Sequence, residues 1–528
     1  MRSLNEKVNF FVDFLDVISP KSSENISDLE GRIRDAAYEA EDIFESSMSN
    51  QIDSKWEQKY EGLQKVIEEL ATISEDLVKM MERNDLEIVK SRNTFHPARS
   101  SNKIAIVGIK DEILKIKDLL IGPKSELCII SVVGRQGLGK TTPAKIIYND
   151  SDIASHFDIR AWATVSRMYY EQVLSHLLHS IRGLNQESSQ ESAEKLAENL
   201  YKFLKNKRCL IVLDDFWDRQ IVLKVKSWFP HDSNGSRILL TSEWESAAMY
   251  DDPKCYIHKM RNPTEDEYWP LLRNLVFDKE RCPHELVEIG TMIAMKCRGL
   301  PFLLTLIGGV LYKSERTQSY WRYVEQQTQI AFSNSLMDFV FFCYYQLPHH
   351  LRACFLYMGV FPEDYEIRRS KLIKLWVANR FIKPDRSKSL EEMAEDYLKD
   401  LIDRNLIMVR EWSYRGEIKT CSIHGILRLF CQLRTRDIFC PDFENLPDVH
   451  VNLRHLSILR EVKNQIPKFN LAFNLDLRIR SVTYFRNRLY DIHFLKSFRL
   501  LRILDALTIW FDEFPIEIVE LETLRFFL

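Results

Sequence analysis

Glycine and proline are scarce. The chain of 528 residues holds 16 Gly and 17 Pro, about half the usual combined share. That excludes a turn-rich β-sandwich or a low-complexity chain and favours long helices with short connections. Long apolar runs are missing as well. The longest, PFLLTLIGGVLY (Pro301–Tyr312), falls short of the roughly 20 residues that span a bilayer. Charge of one sign is not in excess: 73 Lys and Arg against 76 Asp and Glu leave a net −3, so the whole chain makes no electrostatic case for nucleic acid. The 10 cysteines contain no CxxC pair, and Cys421, His424 and Cys431 fit no common zinc spacing, so no metal-thiolate site is expected. No secretory signal opens the chain either, because Glu6, Lys7, Asp13 and Asp16 interrupt the apolar residues there. These absences predict a soluble, intracellular protein with reduced thiols. Its length predicts roughly three to four domains.

What is there changes along the chain. Residues 1–95 carry 12 Lys/Arg against 21 Asp/Glu, and residues 454–502 carry 11 against 3. The acidic head reads as helix. Leu63, Val66, Leu70, Ile73, Leu77 and Met80 form a heptad seam, and Ile33, Ala37, Ala40 and Phe44 form a second stripe. Either a bundle packed on itself or an intermolecular coiled coil fits. Ser91–Asn102, polar and interrupted by Pro97, reads as a linker. Then come four short apolar runs separated by helical stretches: CIISVV (Cys128–Val133), DIRAWATV (Asp158–Val165), CLIVLDD (Cys209–Asp215) and SRILLT (Ser236–Thr241). They predict a parallel sheet covered on both faces. PTEDE (Pro263–Glu267) is a helix start, and a β-hairpin is expected near Leu406–Ile423. From about residue 446, LRHL, IRSV, LRIL and LRFF open units at Leu453, Ile479, Leu501 and Leu524, 26, 22 and 23 residues apart. That is the spacing of leucine-rich repeats, with so few units that a truncated horseshoe is expected.

Two motifs carry chemistry. GRQGLGKTT (Gly134–Thr142) follows an apolar strand and satisfies the phosphate-loop pattern. Gly134, Gly137, Leu138, Gly139 and Thr142 supply a loop whose N–H groups can turn toward phosphate oxygens. Lys140 supplies a cation for the β- and γ-phosphates, and the Thr141 hydroxyl a ligand for Mg²⁺. LIVLDDFWD (Leu210–Asp218) is a strand ending in paired acids: Asp214 suits Mg²⁺ through water, and Asp215 suits orienting an attacking water.

With these motifs in order, the chain resembles the plant intracellular immune receptors that carry a coiled coil, an NB-ARC module and leucine-rich repeats, most of all those of the late-blight-resistance type. YEAEDIFE (Tyr38–Glu45) matches the acidic signature of their helical domain, and the segment around Val107 the part that contacts adenine. FDIRAWATVS (Phe157–Ser166) matches the second-strand motif, and Trp217 the coiled-coil subclass. CRGLPF (Cys297–Phe302) is similar to the motif whose proline packs on adenine, here Pro301. CFLYMGVFPEDYEI (Cys354–Ile367) and LIKLWVANRFI (Leu372–Ile382) resemble the winged-helix signatures. CSIHGILRLFC (Cys421–Cys431) stands at the Met-His-Asp motif, which would put His424 on the β-phosphate of ADP.

The resemblance implies a multidomain α/β architecture. A helical coiled-coil-type domain covers 1–95, a P-loop nucleotide-binding domain 96–260, a helical subdomain 261–340, a winged-helix subdomain 341–445 and truncated repeats 446–528. It implies an ADP/ATP switch with Mg²⁺, at most a slow ATPase, that is triggered by a pathogen effector or a guarded host protein and self-associates on activation. The location implied is the cytoplasm, with peripheral membrane contact as an alternative and no nucleic acid as partner. A helper or decoy receptor, an ATPase motor and a DNA-binding winged helix are the rival readings. Departures from the family pattern are specific. Glu243 replaces the arginine that would meet a γ-phosphate, Gly425 replaces the acid after His424, Arg135 and Gln136 replace smaller or apolar loop residues, and Pro143 follows the loop. The chain also starts where the family's first helix would already have ended. Gly425 is expected to loosen its turn. The acidic face of Glu41, Asp42 and Glu45 is expected to dock on Arg478, Arg480, Arg499 and Arg502, with Arg480 and Arg502 at equivalent repeat positions.

Overall fold

The computed structural model describes residues 11, 18–20, 23–48, 56–82, 86–88, 110–123, 125–165, 170–182, 193–216, 227–230, 233–243, 255–363, 365–385, 387–435, 439–440, 453–458, 479–485, 498, 500–506 and 516–527. The linker read at Ser91–Asn102, the segment around Val107, Trp217, Arg478 and Arg499 lie outside these residues. By its contacts the chain divides into two compact units, Lys103–Thr305, and Met1–Asn102 together with Leu306–Leu528.

Two long helices come first, α1 (Ser23–Met48) and α2 (Trp56–Glu82). Arg32 of α1 pairs with Glu69 and Asp76 of α2, both at 2.8 Å, while Gly62 faces Ile43. The helices therefore run antiparallel and pack on each other. Val66, Leu70, Ile73 and Leu77 of the heptad seam are buried. The α1 stripe is turned by one residue from the sequence reading: Leu29, Ala36 and Ala40 are buried, whereas Ala37 is exposed. The cause is a second buried side. Ala36, Ala40 and Ile43 face α2, and Asp42, about 120° round the helix, is also buried.

In the unit Lys103–Thr305, helix α3 (Lys110–Ile121) precedes a five-stranded parallel sheet. Its strands are β1 (Cys128–Val133), β2 (Ile159–Thr164), β3 (Cys209–Phe216), β4 (Arg237–Ser242) and β5 (Cys255–Lys259), in the order β2-β3-β4-β1-β5. Side chains alternate between two cores. Ile129, Ile211, Leu213, Ile238 and Leu240 enter one, and Ile130, Val132, Leu210, Val212 and Leu239 the other. Burial on both faces is why these strands read as nearly unbroken apolar runs. Edge strand β5 was not legible because its residues are half-exposed or exposed. Helix α4 (Thr141–Tyr148) follows the loop after β1, so the loop lies at the carboxyl ends of the strands, where sheets of this kind bind ligands. Helix α5 (Pro301–Tyr312) follows a turn in which Arg298 and Gly299 are left-handed, at φ 49° and 62°.

In the other unit, α6 (Leu336–Tyr345), α7 (His349–Tyr357) and α9 (Gly425–Arg434) pack together, and α8 (Arg369–Ala378) lies against a small antiparallel sheet. Its order is β6-β8-β7, with β6 at Ile367–Arg368, β7 at Met408–Trp412 and β8 at Ile418–Ser422. The β7–β8 hairpin is the one expected, turning through Gly416 at φ 77°. Strands β9 (Phe439–Cys440), β10 (His455–Ile458), β11 (Ser481–Tyr484), β12 (Ile503–Asp505) and β13 (Phe526–Phe527) then pair in parallel in sequence order. Equivalent residues align, as in His455↔Ser481↔Ile503↔Phe526. That is how a repeat of 22–26 residues stacks.

Candidate functional site

The loop Gly134–Thr142 is a cradle. Gly137 and Gly139 are left-handed at φ 79° and 86°, a conformation glycine adopts without strain. A Cβ on Gly134 would meet Leu138 at 2.8 Å. The Lys140 amine folds back to donate to the carbonyls of Gly134 (2.8 Å) and Arg135 (3.1 Å), which fixes it across the loop mouth. Burial holds the Lys140 ammonium below its ordinary value, against the pull of Asp215, Glu243 and Asp214. A bound phosphate supplies the charge that such a lysine needs. Leu138 turns neither group toward a ligand here: its side chain is buried in the core and its N–H donates to the Arg135 carbonyl. Thr142 likewise donates its N–H to Gly139. No side chain caps α4, so its N-terminus suits an anion.

The paired acids meet this cradle. Thr141 donates its hydroxyl to Asp214 at 3.0 Å, bringing together the two groups that the sequence proposes for Mg²⁺. A second hydroxyl was missed: Thr241 of β4 donates to the same Asp214 oxygen and accepts the N–H of Asp215 at 2.9 Å. It closes the SRILLT run, two residues before Glu243. Asp214 is buried, whereas Asp215 is exposed at φ 54° where the β3–β4 register breaks. A bulge beside a ligand site re-aims a side chain, here the acid proposed to orient water. Glu243 is exposed at the end of β4. The set of backbone N–H groups, lysine, hydroxyl and carboxylate fits a nucleotide phosphate with its divalent cation.

Pro301 opens α5, and its neighbour Phe302 reaches the loop. The Phe302 N–H donates to the Gly137 carbonyl at 3.2 Å, and its side chain leaves 3.3 Å for a Cβ on Gly137. Phe302 thus seats the Pro301 turn on the phosphate loop. Gly299 is obligatory there, because a Cβ would overlap the Tyr268 ring at 1.9 Å.

His424 lies in the other unit and caps α9: its Nδ1 accepts the Ile426 N–H at 3.2 Å. The neutral ring therefore carries its proton on Nε2. Gly425 opens α9, and a Cβ there would stand 2.5 Å from a Glu363 carboxylate oxygen. An acid is present at this turn, supplied by another segment. Cys421 and Cys431 are buried, with the Cys421 thiol pushed up to about 12. No metal-holding cluster exists among the described residues.

The acidic face does meet arginines: the Asp42 pairs are buried, the Glu41 pair is half-buried, and the Glu45 side chain lies outside the described residues. Asp42 accepts from Arg454 at 2.6 Å and also from Arg480, and Glu41 accepts from Arg502 at 2.5 Å. Arg454, missed in the sequence reading, occupies the equivalent place one repeat earlier. Rung follows rung, since the N–H groups of Arg480, Arg502 and Arg525 each donate to the preceding arginine's carbonyl at 2.8 Å. Tyr38 lies against Arg454, 4.6 Å from guanidinium to ring centroid. Burial pulls the Glu41 carboxyl up, yet Arg502, Arg480 and Arg380 together hold it below its ordinary value.

Comparison with known proteins agrees with this geometry. Residues 109–282 match the NB-ARC domain, and residues 360–430 match the disease resistance protein winged helix domain. A putative late blight resistance protein homolog of Solanum demissum is 33% identical over 462 residues, covering 84% of this chain and 37% of that protein. A second such homolog is 32% identical over 487 residues, covering 87% and 36%. A late blight resistance protein from the same plant is 34% identical over 411 residues, covering 76% and 31%. The chain thus spans about a third of the length of these relatives. Among the described residues no helix is long and apolar enough to cross a membrane.

Proposed function

A chain that carries an NB-ARC domain and a disease-resistance winged helix, and is homologous to late blight resistance proteins over most of its length, is, we propose, a nucleotide-operated switch of plant innate immunity. One observation carries the reading: the Thr141–Asp214 contact beneath a lysine-closed glycine loop. Lys140 and the loop N–H groups bind the phosphates, Thr141 and Asp214 hold Mg²⁺, and Asp215 orients a water for slow hydrolysis that resets the switch. When bound there, Mg²⁺ would neutralise charge at the phosphates, with Thr141 and Asp214 as the residues that would hold it. Pro301 and Val107 pack on the adenine, and His424 donates to the β-phosphate of ADP. In the ADP form the Asp42–Arg454–Arg480 and Glu41–Arg502 pairs latch the N-terminal helices to the leucine-rich repeats. Sensing of a pathogen effector, or of a host protein it modifies, favours ATP and self-association, in the cytoplasm or at a membrane surface. Native mass spectrometry of the purified chain tests the reading. ADP or ATP is expected at one per chain and absent from Lys140→Ala; full occupancy in that variant overturns the site.

A further inference from the structure

Glu112 is a buried carboxylate that the phosphate cradle does not use. It sits in the first turn of α3 and meets His258 Nε2 of the edge strand β5. The two side chains are only 5% and 12% exposed. A carboxylate out of water needs a fixed partner, and His258 is that partner. Two other charges stand near. Asp111 is exposed. Arg261 is drawn by Glu112 and Asp111 but donates from both terminal nitrogens to Glu267, at 2.7 and 2.8 Å.

Strand register and helix direction locate the pair. His258 is paired with Val132 of β1, two residues before Gly134 opens the loop, and paired neighbours in a sheet share a face. Val132 points into the core lined by Ile116 and Leu120 of α3 and by Ala144 and Ile147 of α4. His258 therefore stands on the α3 side of the sheet. Helix α3 runs against the strands. Just past its end, the Gly122 carbonyl accepts from Arg237 at the amino end of β4, at 3.0 Å, while its first turn rests on His258 toward the carboxyl end of β5. So α3 begins at the end of the sheet that carries the phosphate loop. Val107 precedes Lys110 by three residues, a reach of at most about 10 Å. We propose that Glu112 and His258 are positioning residues for the base of the nucleotide. By pinning the start of α3 to β5 they set where Val107 meets adenine, whereas the phosphates belong to Lys140 and the loop N–H groups. The role rests on the proposed packing of Val107 on adenine.

The test compares ADP with inorganic pyrophosphate, which has the phosphates without the base, by calorimetric titration of the full chain with Mg²⁺ present. Glu112→Gln keeps the shape and removes the charge, and His258→Ala removes the partner. Each should weaken ADP roughly tenfold, the worth of one hydrogen bond to a charged group, and leave pyrophosphate unchanged. His258→Gln, whose amide can still donate to Glu112, should keep most of the ADP affinity. Adding Glu112→Gln to His258→Ala should give little further loss, because both break one contact. Should His258→Ala fail to fold, Glu112→Gln and His258→Gln carry the same comparison. Wild-type ADP affinity in folded Glu112→Gln protein, or equal losses for ADP and pyrophosphate, overturns the positioning role and leaves the nucleotide site standing. A wild-type chain that binds ADP no tighter than pyrophosphate removes the adenine contact beneath the role. One that binds neither overturns the nucleotide reading as well.

Discussion

Two five-stranded parallel sheets in this chain use one backbone geometry to opposite ends. In the sheet β1–β5 the strand order is permuted, so residues far apart in sequence converge at one crevice: Lys140, Thr141, Asp214, Thr241 and Glu243 come from three strand ends. In the sheet β9–β13 the order follows the sequence, so equivalent residues repeat as a row, Arg454, Arg480, Arg502 and Arg525. A permuted sheet makes a site of unlike groups, suited to a small charged ligand. A sequential sheet makes a stripe of like groups, suited to the face of another element, here the acids of α1.

The stripe should be the costlier to break, because its charges are buried. Asp42→Lys leaves Arg454 and Arg480, 1% and 3% exposed, without their carboxylate and adds a third cation. Removing one partner from a buried pair costs about 3–5 kcal/mol, to be read as a loss of unfolding free energy or of hydrogen-exchange protection in α1. Adding Arg480→Glu should recover part of it. Lack of any recovery would separate Asp42 from the row.

The row also predicts a pH response. His455 lies beside it, and burial together with Arg454, Arg502 and Arg480 lowers its value to about 3. The unfolded chain takes up this proton near 6.5 and the folded chain does not. The stability is complete above about pH 6.5 and falls as pH drops toward 3, by at most about 1.4 kcal/mol per unit. His455→Phe should flatten this slope in pH-dependent urea unfolding; an unchanged slope would assign it to other groups.

Legibility followed the same division. The phosphate loop and the acid strand were readable because each is contiguous and chemically unusual. The row was readable at Arg480 and Arg502 because repeats preserve position, and Arg454 followed from the same rule had it been applied one unit earlier. Thr241, Phe302 and Glu363 were not readable as partners. Their roles come from contacts with Asp214, Gly137 and Gly425, which depend on strand order, loop path and turn geometry. The α1 stripe was misplaced by one residue because helical period alone does not show that a second side must bury Asp42.

On the permuted sheet, a single carboxylate should tune preference without touching the fold. Glu243 is exposed at the mouth and pulls on Lys140, the lysine assigned to the β- and γ-phosphates. Only ATP brings a γ-phosphate there. Glu243→Arg should strengthen ATP by about 1–3 kcal/mol and ADP far less, as measured by calorimetric titration. Equal gains for both nucleotides would remove the sensor role.

The smallest effect belongs to Gly425, where an absent acid is matched by one from elsewhere. A new Cβ would meet only the tip of Glu363, a flexible side chain that can swing aside, so Gly425→Ala should cost at most about 1 kcal/mol. Gly425→Asp is different in kind. It sets two carboxylates at one turn, and like charges at close range disfavour each other. Restoring the family's acid should therefore lower the unfolding midpoint and hasten ADP release, the reverse of what the sequence suggests. Glu363→Gln removes the repulsion while keeping the shape. The pair Glu363→Gln with Gly425→Asp should then regain wild-type stability, because a single carboxylate again faces the His424 turn. If Gly425→Asp alone proves harmless, or if Glu363→Gln fails to rescue it, Glu363 is not the acid of this turn.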